Sequence, residues 1–330
     1  MKAIVVSALG DADVLQWRDL PHPKPGDGEI LIRVIGTSVN FADIKARQGR
    51  YHGVTKLPFV PGLDVAGVVE EVGSGVTRFQ RGMRVVAFPQ GGSYAEYVLA
   101  KEILTYSLPD SIGWEAAAAF PLVGFTAYAL LSAAGQLAQG ESVLVHAAAG
   151  GVGTTASQLA NIMGAAQVIG VVSRKEKVAM AAEAGAHQII DTSKADFHEA
   201  VLEMTDGRGV DLVLDSIGGK VAEESMLCLA PFGRLVHFGS ASKETGLIAV
   251  EKLHASCRSV RGFSLGTVRQ VKPAWIEPWA HAVLELISSR QLSMKIGRHY
   301  PLSEAADAQR WMESRSSVGK ILLDVASYSH

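Results

Sequence analysis

The sequence predicts an α/β protein in which a domain with a parallel, doubly wound sheet is inserted into a β-rich domain. The first third of the chain holds short β-prone runs separated by glycine and proline turns, such as Gly73-Ser74-Gly75. From about residue 125, apolar strands alternate with helices, which is typical of a parallel sheet buried on both faces. After about residue 264 the composition shifts again, and a closing strand indicates that the chain returns to the first domain.

The predicted elements follow this division. The predicted strands of the β-rich part are residues 1–6, 30–35, 65–72, 83–87 and 320–323. The predicted strands of the inserted part are residues 142–146, 168–172, 188–191, 210–215 and 234–238. Helices are expected after the first two of these, ending near Met163 and at Gly185, and a long helix near 273–289. We predict one domain from residues 1–124 and 265–330, and a second from residues 125–264.

The composition is that of an ordinary globular protein of about two domains. The chain has 330 residues, of which 48% are hydrophobic and 19% are charged. Its formal net charge of −2 gives no electrostatic reason to expect nucleic acid or an anionic membrane as a partner. The cysteines, Cys228 and Cys257, are too few for a disulfide framework or a cysteine-based zinc site.

Neither of the apolar stretches predicts targeting to a membrane. The N-terminal run is too short for the apolar region of a signal peptide, and acidic residues follow it. The stretch around 116–134 is interrupted by Pro121 and Gly124, so it indicates buried helices of a globular domain. We expect a cytoplasmic protein.

A glycine-rich segment lies between a predicted strand and a predicted helix. The pattern Ala148-x-Gly150-x-x-Gly153 is a dinucleotide fingerprint in which alanine replaces the first glycine. Gly150 would let the backbone approach a pyrophosphate, and Gly153 would let the helix pack closely on the strand. The N-terminus of the helix offers N–H groups and a positive dipole end to phosphates. A tight strand-to-helix turn without a ligand is the alternative.

The end of the next strand indicates which dinucleotide binds. An NAD enzyme would place Asp or Glu there to accept a hydrogen bond from the ribose 2′-hydroxyl. Here the strand ends in Ser173-Arg174-Lys175-Glu176-Lys177, and its hydroxyl and cations suit a 2′-phosphate. A solvated helix start is the alternative, but cations are unfavourable in a first helical turn unless an anion lies nearby. The segment favours NADPH.

Across essentially its whole length the sequence resembles the medium-chain dehydrogenase/reductase superfamily, and within it the zinc-independent quinone oxidoreductase branch. The segments that carry the resemblance are 39–43, 61–67, 72–76, 123–128, 147–153 with Gln158, Arg315 and Gly319-Lys320. The resemblance implies a GroES-like β-rich catalytic domain, a Rossmann domain, a cleft between them and a homodimer.

The positions that hold zinc in the zinc-dependent relatives carry other residues here. Asn40 stands where those relatives have a catalytic cysteine, Leu63-Asp64 replaces a His-Glu pair, and the third ligand position falls near Leu122. The structural zinc lobe is replaced by the short segment 90–94. An amide and two leucine side chains cannot hold tetrahedral zinc, so no metal is expected.

The resemblance also implies the site residues. Asn40, Asp43 and Tyr51 are expected to line the cleft as catalytic residues. The residues expected to bind NADPH are Asn40, Thr126, Ala149, Gly150, Gly151, Val152, Gly153, Ser173, Arg174, Lys177, Thr192, Ser216, Phe238, Gly239, Ser240, Phe263, Ser264, Leu265, Arg315 and Lys320. Structural roles remain open for several of them. Asn40 can be a turn residue, Tyr51 a packing residue, Asp43 an orienting group and Lys320 a solvated strand lysine.

Three functions are compatible with these residues. The first is metal-free hydride transfer from NADPH to a quinone, which needs little acid catalysis. The second is reduction of the activated double bond of an enone or an enoyl-thioester, which needs a proton donor such as Tyr51. The third is a dinucleotide-binding protein without catalytic activity. A small electrophile is the expected partner in the first two cases, and we favour a quinone.

Overall fold

The computed structural model describes residues 1–51 and 56–326, and the chain forms two compact units. The β-rich unit comprises Met1–Leu122 and Val268–His330, and the parallel-sheet unit comprises Val123–Thr267. The boundaries predicted at 124/125 and 264/265 lie close to these division points. No helix in the described part of the chain is long and apolar enough to cross a membrane.

The β-rich unit begins with a hairpin and continues into a barrel-like sheet. Its first elements are β1 (Lys2–Val6), β2 (Leu15–Asp19), β3 (Glu29–Val39), α1 (Phe41–Arg47), β4 (Val65–Val72), β5 (Arg84–Pro89), β6 (Tyr97–Ser107) and α2 (Trp114–Ala119). Strand β3 pairs antiparallel with both β4 and β6, so strands β3 to β6 close on themselves. Alternate residues of these strands, including Ile30, Ile32 and Val34, fill the interior.

The parallel-sheet unit alternates strands and helices. Its elements, starting with a helix that crosses the division point, are α3 (Pro121–Ala129), β7 (Ser142–Val145), α4 (Gly151–Ile162), β8 (Gln167–Val172), α5 (Val178–Glu183), β9 (Gln188–Asp191), α6 (Phe197–Met204), β10 (Val210–Asp215), α7 (Lys220–Ser225), β11 (Leu229–His237), α8 (Glu251–His254) and β12 (Ser259–Gly262). The strand order is β12-β11-β10-β7-β8-β9, and every pair is parallel. Strands β8 and β9 are added on one side of β7, and strands β10 to β12 on the other. The order of strand addition therefore reverses beside β7, as in a doubly wound sheet.

The chain then returns to the β-rich unit. The remaining elements are α9 (Leu265–Val271), α10 (Ile276–Ser288), β13 (Ile296–Pro301), α11 (Ala305–Glu313) and β14 (Lys320–Asp324). Strand β14 pairs antiparallel with β3, which joins the C-terminal segment to the first sheet and places Ile321 opposite Val39. The predicted α/β fold class, with a β-rich and a parallel-sheet part, is confirmed.

Several strands were not predicted from the sequence, namely β2, β6, β12 and β13. β6 carries Lys101 and Glu102 in its middle, while β12 and β13 lie at sheet edges. An edge strand is partly solvated and needs fewer apolar residues, so its sequence carries a weak periodic signal. These segments form strands because they pair with a neighbouring strand, and not because their own sequence has a periodic apolar pattern.

Candidate active site

The glycine-rich segment forms the turn from β7 into α4. Gly150 precedes α4 in an extended conformation, and no acidic residue lies in the first turn of the helix. A Cβ atom at Gly153 would lie 2.3 Å from the carbonyl oxygen of Ala147 and 2.7 Å from the Cα of Ala148. The first N–H groups of a helix have no intrahelical acceptor, and they add to its positive dipole end. This cradle fits a pyrophosphate.

The missing first glycine has a structural explanation. Ala148 is fully buried, and its N–H donates to the carbonyl oxygen of Val171 at 3.0 Å. A Cβ atom at Gly170 in β8 would lie 2.9 Å from the Cβ of Ala148, so the glycine on the neighbouring strand provides the space. The left-handed conformation falls on Ala147, at φ 51°, rather than on Ala148. In the sequence, the residue that could have indicated that alanine is tolerated at position 148 is Gly170, which lies outside the fingerprint.

Most of the residues expected to bind the cofactor in the parallel-sheet unit follow the carboxyl ends of its strands. Ser173 follows β8, Thr192 follows β9, Ser216 follows β10, the segment 238–240 follows β11, and Phe263 follows β12. Backbone hydrogen bonds hold the last of these turns together, for example Phe238 N to Asp215 O at 2.9 Å and Phe263 N to His237 O at 3.0 Å. Because all the strands are parallel, these turns lie at one edge of the sheet, where dinucleotides bind in such folds.

The other predicted cofactor residues of this part of the chain have more buried positions. Thr126 is 9% exposed within α3, and Leu265 is 5% exposed at the start of α9. The hydroxyl of Ser264 accepts a hydrogen bond from the N–H of Thr267 at 3.2 Å. Ser264 therefore caps α9, which is a structural role that the sequence did not indicate.

The basic segment at the end of β8 is exposed. Ser173, Arg174 and Lys175 are exposed, and a short 3-10 helix, Lys175–Lys177, leads into α5. The positive groups lie one strand away from the glycine-rich turn, because β7 and β8 are neighbours in the sheet. This arrangement fits a dianionic 2′-phosphate on a ribose beyond β8.

In the β-rich unit, Asn40 lies at the centre of a buried polar network. The ammonium group of Lys320 donates to Asn40 Oδ1 at 2.7 Å and to the carbonyl oxygen of Val39 at 3.2 Å. Asn40 Nδ2 donates to Asp64 Oδ1 at 3.1 Å, and the Asp64 carboxylate also accepts from Ser38 Oγ and from the N–H of Leu122. Lys320 is 2% exposed, so the alternative of a solvated strand lysine is wrong.

Asp43 is the second carboxylate of this network. It accepts hydrogen bonds from the N–H of Asn40 at 2.8 Å, the N–H of Gly62 at 3.1 Å and the hydroxyl of Tyr94 at 3.3 Å. Burial raises the pKa of Asp43 to about 7, although hydrogen bonds and Lys320 oppose the rise. Burial likewise raises the pKa of Asp64 and lowers that of Lys320. The charge of Lys320 favours the ionised form of both carboxyl groups, and their charges favour the protonated form of Lys320.

Tyr51 and Arg269 are partly buried residues of the β-rich unit, and the charge of Asp43 acts on both. Burial raises the pKa of the Tyr51 phenol, the charge of Arg269 lowers it, and that of Asp43 raises it further. Arg269, from α9, donates through Nη1 to the carbonyl oxygen of Leu63 at 3.1 Å and lies 4.9 Å from the centre of the Phe88 ring. Arg269 and Tyr94 were not predicted as site residues from the sequence, although Tyr94 ends the short segment 90–94 noted there. Arg315 is exposed, in the turn before β14.

The donor set at the zinc-ligand positions does not fit zinc. Asn40 and Asp64 hydrogen-bond to one another, and a lysine ammonium group lies on the amide oxygen. The side chain of Leu63 has no donor atom, and Leu122 contributes its backbone N–H to Asp64. Within the described ranges, 1–51 and 56–326, no group of three or more His, Cys, Asp or Glu side chains is placed to hold a metal ion.

These two units together define a dinucleotide-dependent dehydrogenase or reductase with a GroES-like β-rich unit. The family models named alcohol dehydrogenase GroES-like domain and zinc-binding dehydrogenase match residues 26–134 and 151–283, respectively. The chain is 39% identical to the quinone oxidoreductase of Pseudomonas aeruginosa, over 98% of this chain and 99% of the relative. It belongs to the medium-chain dehydrogenase/reductase superfamily, as a quinone oxidoreductase-type protein.

Solved structures agree with this assignment. The Escherichia coli quinone oxidoreductase complexed with NADPH has a TM-score of 0.92 and 32% identity, with coverage of 98% of this chain and 100% of that one. The mycobacterial protein Rv1454c complexed with NADPH has a TM-score of 0.91 and 35% identity, with coverage of 98% and 99%. The family and fold predicted from the sequence are confirmed.

Proposed function

We propose that this protein is an NADPH-dependent quinone oxidoreductase. The observation that carries the proposal is the exposed basic segment Ser173-Arg174-Lys175 at the end of β8, beside a phosphate-binding turn without an acidic residue. Two structural neighbours of the same family contain NADPH, and relatives covering the whole chain are named quinone oxidoreductases. Together these support NADPH, with its 2′-phosphate, as the cofactor and a quinone as the acceptor.

The chain's own residues would hold the cofactor at three points. The N–H groups of Gly151, Val152 and Gly153 would bind the pyrophosphate, and Arg174 and Lys177 would bind the 2′-phosphate. Asn40 would approach the nicotinamide with its amide orientation set by Lys320 and Asp64. When bound, NADPH supplies the hydride. The reduced oxygen of a quinone is stabilised by its own ring, so a strong general acid is not required.

A second candidate is reduction of an activated carbon–carbon double bond. Its support is Tyr51, whose pKa is raised by burial, so that the phenol stays protonated at neutral pH and can donate a proton. Such a reaction must protonate carbon or an enolate, and it would depend on Tyr51 far more strongly than quinone reduction does.

NADPH oxidation with quinones, enones and enoyl-thioesters, repeated with NADH, tests the proposal. We expect kcat/KM to be highest for quinones and for NADPH. Because a charge-assisted hydrogen bond contributes about 1.5–3 kcal/mol, Arg174→Ala should raise KM for NADPH roughly 10- to 100-fold and change KM for NADH little. Lys194→Ala, which removes an exposed cation after β9, is the matched control. Equal kcat/KM for NADH and NADPH, or turnover of enones alone, would contradict the proposal.

We also infer that the protein forms a homodimer through β12. This strand is the edge of the parallel sheet, and exposed apolar side chains lie on it and nearby: Val260 is 38% exposed, Phe232 is 76% exposed and Val250 is 69% exposed. A second copy would pair with the open edge and cover these side chains.

Light scattering during size-exclusion chromatography tests this interface. We expect a mass of two chains for the unmodified protein and of one chain for Val260→Asp, because the variant places a charge on the edge strand. Val271→Asp, at a position that is 68% exposed in α9, should leave the dimer intact. A monomer in the unmodified protein, or a dimer that Val260→Asp does not weaken, would exclude this interface.

A further inference from the structure

A histidine and an aspartate join the carboxyl ends of β10 and β11 in the parallel-sheet unit. Nδ1 of His237, the last residue of β11, lies 2.8 Å from Oδ2 of Asp215, the last residue of β10. The side chain of Asp215 is 0% exposed, and that of His237 is 40% exposed. Neither residue was predicted from the sequence to belong to the site.

Asp215 also shapes the turn that follows β10. Its Oδ1 accepts hydrogen bonds from the N–H of Ile217 at 2.8 Å and from the N–H of Gly218 at 3.1 Å. Burial raises the pKa of Asp215, but the hydrogen bonds from His237 and from this turn lower it, and the net effect is a pKa below the ordinary value. Because an ionised carboxylate only accepts hydrogen bonds, Nδ1 of His237 carries its proton and donates it to Asp215.

The turn after β10 is joined to the turn after β11. A Cβ atom at Gly218 would lie 3.2 Å from Cε1 of His237 and 3.5 Å from Oγ of Ser240, so the imidazole ring packs directly on the first turn. We call residues 215–218 and 237–242 together the platform. Its two turns are held by three backbone hydrogen bonds: Phe238 N to Asp215 O at 2.9 Å, Ala241 N to Ser216 O at 3.1 Å and Ser242 N to Ile217 O at 2.9 Å.

The position of the platform in the sheet indicates which half of a dinucleotide it serves. The strand order β11-β10-β7-β8-β9 places β10 and β11 on one side of β7, and β8 with its basic segment on the other. A dinucleotide whose pyrophosphate binds after β7 and whose 2′-phosphate binds after β8 extends its nicotinamide half over β10 and β11. The platform contains Ser216 and the segment 238–240, which are expected to bind the cofactor.

We propose that Asp215 and His237 are positioning residues that hold the platform in place for the nicotinamide half of NADPH. The proposal rests on the NADPH-dependent function proposed above. His237 donates to one oxygen of the carboxylate, and the other oxygen holds the turn after β10. Loss of the imidazole donor releases the two turns from one another. Because hydride transfer requires the reacting atoms in a narrow range of geometries, a displaced nicotinamide half lowers both affinity and rate.

Calorimetric titration with two ligands tests the proposal. Adenosine 2′,5′-bisphosphate carries the 2′-phosphate of NADPH but lacks its nicotinamide half. His237→Leu keeps a branched side chain and removes the donor to Asp215. Because a hydrogen bond to a charged group is lost, we expect Kd for NADPH to rise about tenfold and Kd for the bisphosphate to stay within about twofold. Arg174→Ala should weaken both ligands, since both carry the 2′-phosphate.

A conservative variant and a matched control show whether the hydrogen bond is the cause. His237→Asn places an amide N–H where Nδ1 lies, so its Kd for NADPH should return to within about threefold of the unmodified protein. At saturating NADPH, kcat with a quinone should fall about tenfold in His237→Leu and recover in His237→Asn. The control is His187→Leu, because Nδ1 of His187 accepts from Val168 N at 2.9 Å at the opposite edge of the same sheet. It should bind both ligands as the unmodified protein does.

The outcomes separate this proposal from the proposed function. If the unmodified protein binds NADPH but does not reduce quinones, the function is wrong, while the two titrations still test the platform. Equal losses for both ligands in His237→Leu would show that His237 only supports the fold of the unit. No loss for NADPH, or a loss in His237→Asn as large as in His237→Leu, would overturn the positioning role. A protein that does not bind NADPH would overturn both proposals.

Discussion

Replacing Gly153 by alanine is expected to weaken NADPH binding about tenfold or more and to destabilise the parallel-sheet unit by about 2–3 kcal/mol. The added Cβ would lie 2.3 Å from the carbonyl oxygen of Ala147 and 2.7 Å from the Cα of Ala148, both backbone atoms. The turn must move to relieve this overlap, and the N–H groups of α4 move with it. Alanine favours a helix by about 1 kcal/mol over glycine, which offsets only part of the cost.

Urea unfolding and a fluorescence titration with NADPH measure the two effects of Gly153→Ala. Gly113→Ala is the matched control, because a Cβ there meets nothing within 4 Å and φ is −68°. Gly113 is the N-cap of α2, where alanine is less favourable than glycine, so we expect the control to lose at most about 1 kcal/mol and to bind NADPH normally. Unchanged affinity and stability in Gly153→Ala would show that α4 does not need close packing on this turn.

Replacing Lys320 by methionine is expected to destabilise the β-rich unit by about 3–5 kcal/mol at neutral pH, because it leaves two buried carboxylates without their cation. Asp64 and Asp43 are 0% and 1% exposed, and the charge of Lys320 opposes the rise in the pKa of each. Asn40 also loses the donor to its Oδ1. The methionine side chain fills much of the space of lysine, so charge rather than volume dominates the change.

The loss in Lys320→Met should depend on pH. The pKa of Asp43 is raised on folding from 3.8 to about 7, so its contribution favours the folded protein most below pH 4 and is lost as the pH rises through 7. Without Lys320 the pKa of both carboxyl groups rises further. The loss in the free energy of unfolding of Lys320→Met, relative to the unmodified protein, should therefore be larger at pH 8 than at pH 5.

Urea unfolding at several pH values measures this difference in free energy. The double variant Lys320→Met/Asp64→Asn, which removes one charge of each sign, should be more stable than Lys320→Met alone. A loss below about 1 kcal/mol, or a loss that grows towards pH 5, would show that the ammonium group does not balance the buried carboxylates.

The strand, glycine-rich turn and helix that we propose to bind the pyrophosphate could be predicted as a structural unit from the sequence because their requirements are local. A buried strand, closely spaced glycines and an amphipathic helix lie within about 25 residues, and each has its own pattern. The strand Val210–Asp215 has the predicted bounds, since it is buried along its whole length and most of its residues are apolar.

The assembly of the Asn40 network could not be predicted in the same way. The hydrogen bond from Lys320 to Asn40 joins residues 280 positions apart, and it exists because β14 pairs with β3. From the sequence, Lys320 was assigned to the cofactor or to solvent, and neither pattern nor spacing indicates a buried ammonium group. Arg269 comes close to Leu63 in the same way, across 206 positions.

The sequence by itself determined the fold class, the glycine-rich turn from β7 into α4 and the basic segment beyond β8, because periodicity, glycine spacing and charge act over short distances along the chain. Only the tertiary structure decided which cation opposes the charges of Asp43 and Asp64, why Ala148 is tolerated beside Gly170, and that Arg269 donates to Leu63. These contacts depend on the pairing of distant strands, and burial then sets the strength of the charges that meet there.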